Sequence, residues 1–319
     1  MVSHKTRRKS RKKSLKRDIS RNKQFNFVLY SLGKGLALAP RFMQVLFICF
    51  IFCLLFILPN SFRGRTRRSL TLFFPQQSFW QREILIHKNI FQSLNVVTDM
   101  FSMWFRGKEW AAKRIKKVHD EHIIMDSLKR NRNVIYVSYH FGNWELLAAY
   151  LAEKHQFYNI YKEVSNPYIN DTIQQYRKSC NITGVSVDNK MQLRQLITAL
   201  RKKENHGLLL MPDQRPQKKA AYTMANFFGI STPFSSMPFK LFPLANSDVI
   251  LIGALNCGGG NYEVFVKKAP QEIYGKDTLA AINAMNREYE KIINLDRSQY
   301  NWFQDKFKYA RGEDRKSKS

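Results

Sequence analysis

Ser138-Tyr139-His140-Phe141-Gly142-Asn143-Trp144-Glu145 is the stretch of this chain whose residue types could do chemistry. His140 directly follows the apolar run Asn133–Tyr139, and Gly142 and Asn143 supply a turn and a helix N-cap. On one continuous helix, residues five apart would point about 140° away from each other at ~3.6 residues per turn. The imidazole and the carboxylate can therefore meet only if His140 precedes the helix and Glu145 reaches back from its first turn. A histidine so held is a general base, because the acid fixes the tautomer and stabilises the imidazolium formed on taking a proton. H-x4-E also recurs by chance, and spacing alone favours the plainer reading of a structurally satisfied histidine.

The elements that would position this pair alternate over about residues 132–312. Strands are expected at Asn133–Tyr139, Tyr158–Lys162, Thr183–Val187, Gly207–Met211, Val249–Ala254 and Tyr262–Val266. Helices are expected at Trp144–Lys154, Ile169–Ser179, Met191–Lys203 and Thr278–Ile293, and Gly258-Gly259-Gly260 reads as a hairpin turn. Such alternation predicts a layered α/β sheet with flanking helices, whose ligands sit at the carboxyl ends of the strands. Residues 64–130 read as helices, among them an amphipathic stretch from Ser78 to Trp104 carrying Ile84, Ile86, Ile90, Phe91, Leu94, Val97, Phe101 and Trp104.

The N-terminal part has a different character. The 319 residues hold 53 Lys and Arg against 24 Asp and Glu, a net charge of +29. Residues 1–23 contribute eleven cations and only Asp18 as an acid, and are expected to be a disordered tail. Residues 24–60 form an apolar anchor segment in two pieces, Phe25–Ala39 and the uncharged Phe42–Leu58, separated by Pro40 and Arg41. The second piece would span about 26 Å as a helix, slightly short of a ~30 Å hydrocarbon core. Basic residues flank it on both sides, the tail before it and Arg63, Arg65, Arg67 and Arg68 after it. A single membrane span is the simplest reading; a hairpin turning at Pro40, or an interface-lying arrangement, keeps both basic flanks in the cytoplasm. Residues 61–319 would then be the catalytic domain.

Several chemistries lack their signatures. The four cysteines form no CxxC pair, no His-Cys cluster has zinc spacing, and the six histidines other than His140 have no partners at metal spacing, so no metal is expected. No dinucleotide fingerprint, Walker motif or G-x-S-x-G elbow is present, so neither a cofactor nor an acyl-serine intermediate is expected. The basic body would attract polyanions, but no nucleic-acid recognition module is evident and nucleic acid is not an expected partner.

His140 and Glu145 after a strand, in a basic chain with an apolar N-terminal segment, resemble the lysophospholipid acyltransferase superfamily. Within it the closest likeness is to the late lipid A biosynthesis acyltransferases, the lauroyl and myristoyl transferases. The likeness runs over about residues 64–312: Arg67-Arg68-Ser69-Leu70 with Phe74-Pro75, Tyr161-Lys162 with Asn166-Pro167, Arg177, Met211-Pro212-Asp213-Gln214, Phe227-Phe228-Gly229, and Gln299-Tyr300-Asn301-Trp302 with Lys306-Phe307-Lys308. It departs at Lys162, where the family usually has Arg, so a bidentate phosphate clamp becomes a point charge. It departs again at Ser231-Thr232-Pro233-Phe234, where an Ala-Thr element is usual.

The resemblance implies a glycerolipid-acyltransferase-like fold and direct transfer of a fatty acyl chain from acyl carrier protein to a hydroxyl of a lipid A precursor. It places the enzyme at the cytoplasmic side of the inner membrane, with the tail on anionic lipid. His140 and Glu145 would be catalytic, and Lys162, Arg177, Asp213 and Gln214 would bind substrate, the two cations taking phosphate. A lysophospholipid or another lipid is the alternative acceptor, and a nucleic-acid-binding membrane protein is the remote one.

Overall fold

The computed structural model describes residues 23–58, 60–187, 189–202, 205–214, 221–242, 247–304 and 307–310. The basic tail up to residue 22, together with Lys203 and Lys306, lies outside them.

The first four helices come before any strand. They are α1 (Lys23–Leu38), α2 (Arg41–Ile57), α3 (Ser61–Phe73) and α4 (Phe79–Arg106). α4 starts where Ser78 and Gln81 form a reciprocal capping box, which satisfies two amide hydrogens that a helix start leaves over. It buries Ile86 and Ile90 as its periodicity predicts, whereas Ile84 and Val97 face outward. An ion pair between the exposed Arg67 and the buried Glu83 fixes α3 to α4: Arg67 donates twice to the carboxylate, at 2.8 and 2.7 Å. Those hydrogen bonds hold the Glu83 carboxyl below its usual range. After the short α5 (Lys108–Ala112), residues 115–119 form a strand, β1 (Ile115–His119), inside the zone whose sequence reads as helical. β1 is five residues at the sheet edge, and its exposed Lys116 and Lys117 blur the apolar alternation by which a strand is read.

The rest follows the expected alternation. In order come α6 (His122–Lys129), β2 (Asn133–Val137), α7 (Trp144–Ala152), β3 (Phe157–Tyr161), α8 (Pro167–Ser179), β4 (Ile182–Ser186), α9 (Lys190–Arg201) and β5 (Gly207–Leu210). A hairpin follows, β6 (Tyr222–Phe227) and β7 (Ile230–Ser235), then α10 (Met237–Leu241), β8 (Ser247–Gly258), β9 (Asn261–Lys268), α11 (Thr278–Ile293) and α12 (Phe307–Ala310). Seven strands make one mixed sheet in the order β1-β9-β8-β2-β5-β3-β4. β8, β2, β5, β3 and β4 run parallel, β9 is antiparallel to β8, and β1 is parallel to β9. The β6–β7 hairpin stands apart and is not apparent in the sequence; Phe228 and Gly229, both at positive φ, make its two-residue turn.

Strand residues alternate between two cores. Ile135, Val137, Leu208, Leu210 and Leu251 face one, with α11 and the aromatic cluster Phe73, Phe227, Trp302 and Phe307; Val134, Tyr136, Leu209 and Ile250 face the other, with α7. A sheet covered on both faces needs such continuous apolar runs, and β2 is buried at all five positions.

The N-terminal apolar segment forms two helices with a break at Ala39-Pro40. No single helix among the described residues is long and apolar enough to cross a membrane. α2 and α3 together pass that measure but are bent by 76°.

Candidate active site

The chain leaves the sheet at Val137, passes Ser138 and Tyr139, and turns sharply through His140–Gly142. Gly142 is essential to that turn. Its φ is +56°, and a Cβ there would lie 1.6 Å from the Ala254 carbonyl oxygen on β8. The turn is also tied to residues far along the chain: Gly142 N–H donates to the Gln299 carbonyl (3.1 Å) and Asn301 N–H to the His140 carbonyl (2.9 Å). Gly142→Ala is expected to cost about 1–2 kcal/mol from the backbone angle alone, with displacement of β8 or of the turn in addition. Thermal unfolding should show the loss directly.

β5 lies next to β2 although two strand-helix units separate them in sequence, so the residues after Leu210 stand beside His140. Asp213, fully buried, takes the imidazole: His140 Nδ1 lies 2.7 Å from its Oδ1. The other carboxylate oxygen accepts from the His140 backbone N–H (3.0 Å), the Tyr300 hydroxyl (3.2 Å) and the Gln304 amide (3.1 Å). Burial first, and the Asp213 charge second, push the Tyr300 phenol far above its usual range, so it stays a donor. A carboxylate on Nδ1 assigns the proton to that nitrogen and leaves the Nε2 lone pair as the base. Nε2 receives the Gln214 amide nitrogen at 2.6 Å. The exposed Gln214 thus occupies the place where an acceptor hydroxyl would donate. His140 itself is 5% exposed and packs on the Trp144 indole, ring centroids 4.7 Å apart.

This corrects the pairing expected from the sequence. Glu145 is not hydrogen-bonded to His140; its Oε1 accepts from Arg177 Nη2 on α8 at 3.1 Å. Asn143 caps the helix through the Leu146 N–H, so α7 begins at Trp144. Trp144 then lies against the imidazole, and Glu145 meets α8. Arg177 is 6% exposed, its guanidinium lying over the Tyr161 ring at 4.6 Å. Gly184 leaves room for that ring, since a Cβ there would meet it at 2.8 Å. Arg177 is therefore buried and paired with Glu145, not the open phosphate-binding cation expected of it, whereas Lys162 is exposed just past the end of β3. Asp213, expected to bind substrate, is hydrogen-bonded to the His140 imidazole. Tyr300 and Gln304 are not among the expected site residues; Tyr300 lies in the Gln299–Trp302 motif, to which the resemblance assigns no role, and Gln304 two residues beyond it.

The apolar N-terminal helices reach the same edge of the sheet at two points. Asn166, capping α8 beyond β3, donates from its side chain to the Asn26 carbonyl of α1 (3.0 Å). Phe62 of α3 packs on Phe303, next to Gln304, with centroids 4.2 Å apart. A base at the carboxyl ends of parallel strands, bordered by exposed apolar helices, suits proton abstraction from an amphiphilic alcohol.

Comparison with known proteins bears on which alcohol. The family described as bacterial lipid A biosynthesis acyltransferase matches residues 11–309. A lipid A biosynthesis acyltransferase of Haemophilus influenzae is 27% identical over 247 residues, 76% of each chain. A lipid A biosynthesis palmitoleoyltransferase of Escherichia coli is 29% identical over 251 residues, covering 76% of this chain and 77% of that one. A lipid A biosynthesis acyltransferase of Shigella flexneri shows the same 29% identity over the same length.

Proposed function

Since this chain belongs to the bacterial lipid A biosynthesis acyltransferase family, and is thus an acyl-transferring enzyme, we propose that it acylates a hydroxyl of a lipid A precursor with acyl-acyl carrier protein as donor. It works at the cytoplasmic face of the inner membrane. The observation that carries the mechanism is the His140–Asp213 pair, with Nε2 turned toward the exposed Gln214.

In this mechanism the acceptor hydroxyl displaces the Gln214 amide and donates to His140 Nε2. As its oxygen attacks the thioester carbonyl, the proton passes to Nε2, and the imidazolium is stabilised by Asp213. Collapse of the tetrahedral intermediate breaks the C–S bond. The departing thiolate takes the proton from Nε2, giving ester and free thiol and restoring the neutral imidazole. Gln214 and Lys162 border the route by which substrate enters, and Lys162 offers a point charge to phosphate. The basic tail and the arginines of α3 supply attraction to anionic headgroups, about 1 kcal/mol per cation held near such a surface.

General-base assistance is worth roughly 10²–10⁴-fold. His140→Gln should lower transfer by that factor or more, in a protein that remains folded and membrane-associated. The acceptor is read by mass spectrometry of envelope lipids from cells with and without the protein. Loss of one acyl mass from lipid A, restored by the wild-type chain but not by His140→Gln, is the expected result. A mass lost from a phospholipid instead would assign the other acceptor class, and unchanged transfer by His140→Gln would remove the mechanism.

A further inference from the structure

We infer that α1 and α2 form a monotopic platform. The hairpin lies in the cytoplasmic leaflet, its outer face in the lipid of that one leaflet, and leaves the tail and the catalytic domain on the same side of the membrane. This rests on the membrane-bound reading proposed above and goes beyond it in fixing the topology.

Contacts with the catalytic domain run along the hairpin. Near the start of α1, Phe27 and Tyr30 pack on Tyr168, with centroids 5.6 and 5.7 Å away. At mid-length, Gly33 brings α1 so close to α4 that a Cβ would lie 2.7 Å from the Phe101 ring. At the turn, Arg106 donates to the carbonyls of Ala37 (2.7 Å) and Ala39 (2.8 Å). Arg41 opens α2 with an ion pair to Asp99 at 2.6 Å, and Asp99 is 1% exposed and also accepts from Tyr262. Buried Gln44 bridges the Leu36 and Ala37 carbonyls to Ser102. Further on, Phe52 meets Phe91 and Phe56 meets His87, and Arg63 donates to the Phe56 carbonyl.

The outer face is as apolar as the inner face is tied. Leu32 on α1 and Phe42, Leu46, Phe50 and Ile57 on α2 are each more than half exposed, and Phe42–Leu58 contains no charge. A surface of this kind fits a hydrocarbon phase on one side only. A helix crossing a bilayer would have to leave α4 along its length, separating Arg41 from Asp99 and leaving a buried carboxylate unpaired. Lying in the interface, typically about 5–10 Å deep, requires no such separation. Charge supports the same placement. The ten cations of residues 1–22 precede the hairpin and four arginines of α3 follow it, and cations on both flanks favour a cytoplasmic position for both.

The test uses the full chain in its native membrane, with Cys49, Cys53, Cys180 and Cys257 replaced by Ala and one cysteine returned at a time: Ser3→Cys in the tail, Leu38→Cys at the turn, or Lys276→Cys on the catalytic domain. Retained transfer activity verifies each variant. A membrane-impermeant maleimide should label Ser3→Cys and Lys276→Cys in inside-out vesicles, and should label none of the three in right-side-out spheroplasts. Labelling of Ser3→Cys in spheroplasts would establish a single span, and labelling of Leu38→Cys there would establish a transmembrane hairpin. Either would overturn this topology while leaving the acyltransferase reading intact. Recovery of the chain in the soluble fraction would remove the membrane-bound reading, and the platform with it.

Discussion

Asp213→Asn is expected to lower turnover by about 10³–10⁴-fold, the scale on which loss of a base's orienting carboxylate acts, with little change in KM. The substitution keeps size and shape, so the fully buried site does not collapse. The asparagine carbonyl can still accept the His140 backbone N–H when its NH₂ faces Nδ1. If its NH₂ faces Nδ1, the imidazole proton is driven to Nε2, and the nitrogen that should accept the hydroxyl proton becomes a donor. If its carbonyl faces Nδ1, the tautomer survives but the imidazolium loses its counter-charge. Both outcomes lower the chemical step more than substrate binding. Steady-state kinetics with saturating donor, beside circular dichroism of the variant, check this. A turnover within threefold of wild type would show that Asp213 does not hold the base.

Arg177→Met is expected to destabilise the protein by roughly 3 kcal/mol, because removing one member of a buried ion pair leaves the other charge uncompensated. The cost falls at the lower end of the usual range, since Glu145 sits in the first turn of α7, where the helix dipole favours a negative charge. Glu145→Gln alone should also destabilise, by leaving the Arg177 guanidinium with Tyr161 as its principal neighbour. The double variant should recover much of the loss. Chemical denaturation of the detergent-solubilised protein, read as a double-mutant cycle, measures the coupling. Additive losses would mean that the two charges are not coupled. Because Glu145 directly follows Trp144, which packs on the imidazole, activity should fall with stability in the single variants and return with it in the double.

These expectations show where the sequence could and could not be read. β2, β5 and α11 were legible, since buried runs and helical periodicity are local signals, and the placement of His140 between a strand and a capped helix was legible because strand, turn and cap follow one another within ten residues. Its partner was not. Glu145 is near in sequence, whereas Asp213 is brought to the imidazole by the placement of β5 beside β2, which depends on the sheet order and on no local pattern. The sequence nevertheless marked Asp213 as standing at a strand end, which is the property that matters. β1 was missed because a short edge strand with exposed lysines carries almost no alternation. The hairpin was visible as two apolar pieces, but its attachment to α4 depends on Arg41, Gln44 and Arg106. These polar residues give no sign in sequence of what they will meet.

The backbone and side-chain bonds from residues 299–304 to His140, Gly142 and Asp213 have a consequence for how the enzyme comes into being. The ribosome delivers the apolar hairpin, Lys23–Ile57, well before these six residues. A nascent chain therefore presents its apolar helices while its histidine still lacks the backing of residues 299–304. The site is complete only when this later stretch of polypeptide closes over the turn.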